Sequence, residues 1–122
     1  FPIVGSGNET RSFIYIDDFI DGIMVLMEKA SNLNIYNIGT MNEISIRNLA
    51  EIMAKVLGLS INIIQSDGHD GGALRRCPDI SKIQGLGFAP KVELSVGVES
   101  LVKWYTEHAN KEKKLKIKKE SL

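Results

Sequence analysis

Apolar residues recur with two different periods along this chain of 122 residues, and these periods predict both helices and strands. Helical spacing predicts helices at residues 18–30, 46–57 and 95 to about 109, with a short helix after Asp79. Runs of β-branched and aromatic residues predict strands at residues 12–16, 34–38, 61–65 and 73–76. The sequence therefore predicts a mixed α/β (α+β) domain with one small core.

Residues that favour helix ends stand where these helices begin and end. Asp18 is the predicted N-cap of the first helix, and Asp21 adds negative charge to its first turn. Ser45 is the predicted N-cap of the second helix, and Gly58 stands where a left-handed C-cap is expected. Asp79 is predicted to cap the short helix that follows it.

The last predicted helix has an apolar stripe at helical spacing. Trp104 and Tyr105, near its end, are predicted to be packing residues and not a stacking platform for nucleic-acid bases. The residues of the stripe are Leu94, Val98, Leu101, Val102 and Tyr105.

Charge is distributed unevenly, although 15 Lys and Arg balance 15 Asp and Glu over the whole chain. Residues 111–122 contain six lysines and two glutamates, so residues 1–110 hold 9 basic and 13 acidic side chains. An acidic body with a basic tail is not the charge pattern of a nucleic-acid-binding protein. The tail has no sustained apolar stripe, and its like charges repel. We therefore expect a domain at residues 1–110 and a disordered basic tail at residues 111–122.

Cysteine content and hydropathy indicate the compartment. Cys77 is the only cysteine, which excludes an internal disulfide and favours a reducing setting. The longest apolar run, residues 23–27, is far too short to span a membrane, and no positively charged leader region opens the chain. The sequence thus predicts a cytoplasmic protein without a membrane partner.

Two groups of arginines are the main candidates for chemistry. Arg11 follows a glycine-rich turn and precedes the first predicted helix, and Arg75 and Arg76 lie in a predicted strand. Guanidinium groups are planar, permanently charged and able to bind phosphate through two parallel hydrogen bonds. The alternative is that Arg11 pairs with Asp17 or Glu9 and that the other two are alternating strand residues.

Other polar residues have simpler explanations. Asp17 and Asp18 are paired carboxylates, but a capped junction between strand and helix accounts for them without catalysis. Asp67, His69 and Asp70 offer metal ligands, but the glycine-rich loop 67–72 has too few of them for zinc and is predicted to be a mobile solvated turn. Cys77 has no partner base, so a semi-buried thiol is expected. No catalytic, cofactor-binding or metal-binding residue is predicted.

Three segments of the chain are similar to one enzyme family. The run GSGNETRSFIYIDD (residues 5–18) resembles the G-x-G-x-x-x-R-x-F-x-Y-V-x-D segment of extended short-chain dehydrogenases, the NAD-dependent nucleotide-sugar epimerases and dehydratases. YNIG (36–39) and RRCPDISK (75–82) agree with it in order and spacing. The resemblance implies a small C-terminal substrate-binding domain in which Arg11 contacts the diphosphate of a nucleotide sugar, with a similar role for Arg76.

The family's catalytic half has no counterpart in this sequence. Its G-x-x-G-x-x-G turn for NAD is missing, since Leu74 stands where the third glycine would follow Gly68 and Gly71. No tyrosine has a lysine four positions later. The resemblance therefore implies a parent enzyme whose absent Rossmann half holds NAD. The chain alone is expected to be inactive and to bind a nucleotide sugar, and its partner is expected to be the missing half or a second copy.

Two other classes of function are compatible with parts of the sequence. Residues 44–60 resemble the first helix and turn of a helix-turn-helix, but the β-rich INIIQ that follows is unsuited to a recognition helix. A stand-alone interaction module also accounts for a missing Rossmann half, although a packing domain has no need of Arg11 and Arg76.

Overall fold

The computed structural model describes residues 1–67 and 72–120, and it describes only the backbone of residues 110–120. His69 and Asp70, together with most of the glycine-rich loop 67–72, lie outside the described residues. Residues 121–122 of the predicted tail also lie outside them.

Five short strands form two sheets in the described part of the chain. Strands β1 (Pro2–Val4) and β4 (Ile64–Ser66) pair in parallel. A second sheet has the order β3-β2-β5, with β2 (Thr10–Ser12) at its centre. Strand β3 (Glu43–Ser45) runs antiparallel to β2, whereas β5 (Arg75–Arg76) runs parallel to it. The central strand thus joins two segments that are more than thirty residues apart in sequence.

The predicted strands are partly displaced. The strand expected at residues 12–16 is instead β2, because pairing with β5 ends at Arg11 and pairing with β3 ends at Ser12. The segment 34–38 is not a strand, and β1 and β3 were not predicted. The physical reason is that β-propensity reports how side chains pack, whereas a strand exists only where another backbone pairs with it. The predicted mixed α/β fold class is confirmed.

Four helices complete the described fold: α1 (Ile16–Lys29), α2 (Ile46–Val56), α3 (Ser81–Gln84) and α4 (Leu94–Glu120). The predicted capping of α2 is confirmed, because the Ser45 hydroxyl accepts the Asn48 N–H at 3.1 Å and Gly58 has a φ of +65°. The N-cap residue of α3 is Ile80 and not Asp79 as predicted, but the Asp79 carboxylate, one residue earlier, accepts the Ser81 N–H at 2.8 Å.

The last helix is longer than predicted. It continues to Glu120 instead of ending near residue 109, and lysine and glutamate are strong helix formers even without an apolar stripe. Trp104 and Tyr105, predicted to be packing residues, are instead 51% and 62% exposed. Their rings contact each other edge to face with centroids 5.0 Å apart. Among the described side chains of this helix, that of Val98 is buried.

The core lies where α1 meets α3 and the loop after it. Ile80, Ile83 and Phe88 are buried, and five partly buried apolar side chains pack around them. A Cβ on Gly22 would lie 2.6 Å from Ile38 Cγ2, so glycine is needed for α1 to approach segment 36–38 this closely. The surrounding apolar residues are Ile14, Val25, Leu26, Tyr36 and Ile38.

Asp18 does not cap α1, contrary to the sequence prediction. The N-cap residue is Tyr15, and Asp18 lies in the first turn of the helix with only 2% of its surface exposed. One oxygen of its carboxylate, Oδ2, accepts the N–H groups of Lys91 and Val92 at 3.0 and 2.9 Å. Asp21 binds the Lys91 ammonium at 2.9 Å. The two aspartates therefore fasten the segment that leads into α4 onto α1, and the prediction failed because their partners are distant in sequence.

Removing the Asp18 carboxylate should destabilise the fold. Asp18→Ala leaves two N–H groups without their acceptor, and we expect a loss of about 1–3 kcal/mol in the free energy of unfolding. Asp18→Asn should lose less, because an amide oxygen still accepts hydrogen bonds. Urea denaturation measures both variants, with Asp17→Ala at the exposed neighbouring position as the control. Equal stability of Asp18→Ala and Asp17→Ala would contradict the assigned role.

Candidate functional site

Arg11 lies on the central strand β2 and is half-buried. Its Nη1 donates to the Thr10 carbonyl at 2.7 Å, and its Nη2 donates to the Ala73 carbonyl at 2.9 Å. Both acceptors are uncharged, so the guanidinium keeps its full positive charge. A guanidinium has five N–H donors, and two hydrogen bonds leave three of them for a ligand.

The register of the sheet brings Arg76 beside Arg11. The two residues are Cα partners on the parallel strands β2 and β5, whose spacing is typically about 4.8 Å. Both side chains line an open groove of about 500 Å³. Phe13, Gly39, Cys77 and Pro78 also line it. Among the residues described, Arg76 forms no hydrogen bond or ion pair, and its side chain is exposed.

Gly39 shapes one wall of this groove. A Cβ at this position would lie 2.8 Å from Pro78 Cγ, so glycine lets segment 38–40 pack directly against the end of β5. Cys77 is half-buried as predicted, and its Sγ lies 3.7 Å from the Met41 carbonyl oxygen.

Arg75 points to the opposite face of the sheet and is neutralised there. Its guanidinium donates to both Glu43 carboxylate oxygens at distances of 2.5 to 3.0 Å. The Thr10 hydroxyl adds a hydrogen bond to Glu43 at 2.8 Å. Arg75 and Thr10 both hold the pKa of Glu43 below its ordinary value, and Glu43 in turn raises that of Arg75. Sequence reasoning missed Glu43, because the three-residue strand β3 gave no detectable pattern.

The expected carboxylate partners of Arg11 are elsewhere. Glu9 accepts hydrogen bonds from the Ser6 N–H and hydroxyl, each at 3.1 Å, and Asp17 lies exposed on α1. Within the described parts of the chain, neither Arg11 nor Arg76 has an acidic partner. Like charges placed directly opposite on neighbouring strands repel each other. The groove therefore concentrates positive charge without an internal counterion, which is the electrostatic requirement of an anion-binding site.

Comparisons with known proteins relate this chain to one family of enzymes. Residues 1–39 match the model of the NAD dependent epimerase/dehydratase family. A GDP-L-fucose synthase from Arabidopsis thaliana is 35% identical over 101 residues, which are 83% of this chain and 31% of the relative.

Solved structures agree with the sequence match. UDP-glucose 4-epimerase from Thermotoga maritima, in complex with UDP-glucose, superposes with a TM-score of 0.82 at 26% identity, covering 88% of this chain and 35% of that one. UDP-glucuronic acid 4-epimerase from Bacillus cereus, in complex with UDP-glucuronic acid and NAD, superposes with a TM-score of 0.72 at 34% identity. The match covers 80% of this chain and 32% of that one.

By sequence and by fold, the chain is homologous to part of the NAD-dependent nucleotide-sugar epimerases and dehydratases. It spans about a third of the length of the relatives it matches. None of the helices described here is long and apolar enough to cross a membrane.

Proposed function

We propose that residues 1–110 form the substrate-binding part of a nucleotide-sugar epimerase or dehydratase, and that Arg11 and Arg76 bind the diphosphate of the substrate. The observation that supports this most directly is the pairing of the two arginines across β2 and β5 in one open groove. A diphosphate carries at least two negative charges and several acceptor oxygens, which match two guanidinium groups. Relatives of known structure contain UDP-sugars.

The chain's contribution to the reaction is binding and orientation. A Rossmann half in a parent enzyme would hold NAD, which would supply the oxidation of a sugar hydroxyl that precedes epimerisation, elimination or decarboxylation. Binding energy from the nucleotide and diphosphate, which do not react, holds the sugar in position for that step. The described residues offer no fit for NAD, because the glycine turn at Gly5 and Gly7 leads into strand β2 and not into a helix. We place the parent enzyme in the cytoplasm.

A helix-turn-helix function is disfavoured by the structure. Helix α2 is followed by strand β4, not by a second helix that could enter the major groove. A stand-alone interaction module accounts for the exposed apolar surface of α1, but it gives no reason for two adjacent arginines without carboxylate partners. We therefore favour the enzyme part over both alternatives.

Arg11 should determine affinity for the diphosphate. Arg11→Ala removes charge-assisted hydrogen bonds of about 1.5–3 kcal/mol each, so the dissociation constants for inorganic pyrophosphate and UDP-glucose should rise about ten-fold or more. Arg11→Lys should fall between alanine and wild type, because an ammonium restores charge but not the planar fork. Arg76→Ala should also weaken binding. Calorimetric titration of the 122-residue chain measures all three, and Arg47→Ala outside the groove is the control. A lower melting temperature of Arg11→Ala with unchanged affinity for both ligands would contradict a role of Arg11 in diphosphate binding.

The chain alone should bind no NAD and convert no nucleotide sugar. The reason is that the glycine turn for the pyrophosphate of NAD and the Tyr-x-x-x-Lys pair are both missing from this sequence. Titration with NAD is the test, with UDP-glucose as the positive comparison. Saturable NAD binding at micromolar concentrations would contradict this assignment.

Helix α1 is apolar on its outer face as well as towards the core. Exposed large apolar side chains recur along it at helical spacing, and we call them the α1 stripe. A helix with apolar residues on both sides is normally buried on both sides. The α1 stripe is therefore the surface we propose for packing against the Rossmann half or, without it, a second copy. The stripe consists of Ile16, Phe19, Ile20, Ile23, Met24 and Met27.

The α1 stripe should make the chain self-associate. Ile20→Lys and Met27→Lys place charges on it and should lower both the apparent mass in light scattering and the binding of a hydrophobic dye. Leu59→Lys, at a similarly exposed apolar position outside the stripe, is the control and should change neither. A strictly monomeric wild-type chain that binds no dye at high concentration would refute the proposal.

A further inference from the structure

Strand β5 has little apolar contact to hold it in place. It is only two residues long, both of them exposed, and the preceding Leu74 is 76% exposed. Since burial of apolar surface is the main force that fixes a strand, polar contacts must hold this one. One of them is the Thr10 N–H, which donates to the Leu74 carbonyl at 2.8 Å. Another is the hydrogen bond that the Arg11 guanidinium donates to the Ala73 carbonyl.

The third contact spans the whole sheet. Glu43 is on β3 and Arg75 is on β5, so their ion pair crosses the central strand β2 and joins both edges of the sheet. Thr10, on β2 itself, donates to the same carboxylate. All three strands therefore converge on Glu43, on the face opposite to the groove. The arrangement leaves Arg76, the next residue after Arg75, directed into the groove beside Arg11.

We propose that Glu43 is a positioning residue for the groove, holding β5 through Arg75 so that Arg76 stays opposite Arg11. The inference rests on the proposed function, because the ligand of the groove is the diphosphate assigned there. Glu43 has a second effect on the same site. By neutralising Arg75, it reduces repulsion among three arginines on two adjacent strands, which would otherwise favour separation of β5 from β2.

Positioning and long-range electrostatics predict opposite changes in affinity when Glu43 loses its charge. Glu43→Gln removes a negative charge near an anion site, so long-range attraction alone would tighten the binding of inorganic pyrophosphate. Positioning predicts the reverse, a weakening of about two- to five-fold, because an exposed ion pair contributes modestly. Arg75→Gln should weaken binding as well. The double variant Glu43→Arg with Arg75→Glu restores the pair with its polarity reversed and should recover most of the affinity.

Calorimetric titration of the 122-residue chain with inorganic pyrophosphate tests these variants. Asp21→Asn removes the other surface ion pair of the described residues, that with Lys91, and is the matched control. It should leave the dissociation constant unchanged. Tighter or unchanged binding by Glu43→Gln overturns the positioning role, whatever happens to its melting temperature.

A second measurement separates this inference from the proposed function. If the wild-type chain binds no pyrophosphate, the diphosphate assignment fails, and hydrogen exchange of the Thr10 amide in the free protein then decides the role of Glu43. That amide reports the contact between β2 and β5 directly. Faster exchange in Glu43→Gln than in Asp21→Asn supports the positioning role, and equal exchange in the two variants overturns it.

Discussion

The pairing of strand β2 with two partners from distant parts of the sequence is the constraint on which the site depends. Residues Thr10 to Ser12 pair with β3 on one side, and the first two of them pair with β5 on the other. Because successive side chains of a strand point to opposite faces, this pairing directs the three arginines to two different faces of the sheet. Arg11 and Arg76 face the groove, and Arg75 faces Glu43. A sheet of such short strands has little apolar surface of its own, so ion pairs and backbone hydrogen bonds hold it.

Helix α1 is also held by contacts with segments that are distant in sequence. Asp18 is buried in α1 and accepts two backbone N–H groups from the segment that leads into α4. Gly22, one turn later, lets Ile38 and Phe88 approach the helix closely. One face of α1 is thus built for contact with the body of the domain. Its outer face, the α1 stripe, is apolar too, which is unusual for a helix that borders solvent.

The arginine-lined groove and the α1 stripe support the proposal that the chain is part of a larger enzyme. The chain spans about a third of the length of its relatives, and its described residues form a positively charged groove and an exposed apolar helix face. In the proposed division of labour, this part binds the non-reacting portion of the substrate and another part supplies the redox chemistry. Precise placement of the sugar then depends on the rigidity of the groove as much as on its charge.

The sequence alone determined the fold class and helix α2 with its caps. These predictions succeeded because apolar periodicity and capping are local properties that neighbouring residues express. The family resemblance singled out Arg11 and Arg76, and the structure brings them together in one groove. Only the tertiary structure decided the partners of Asp18, the role of Glu43, the exposure of Trp104 and the pairing of residues 10–12 instead of 12–16. Each of these depends on contacts between residues distant in the chain, or on the lack of them, and no local pattern in the sequence encodes that.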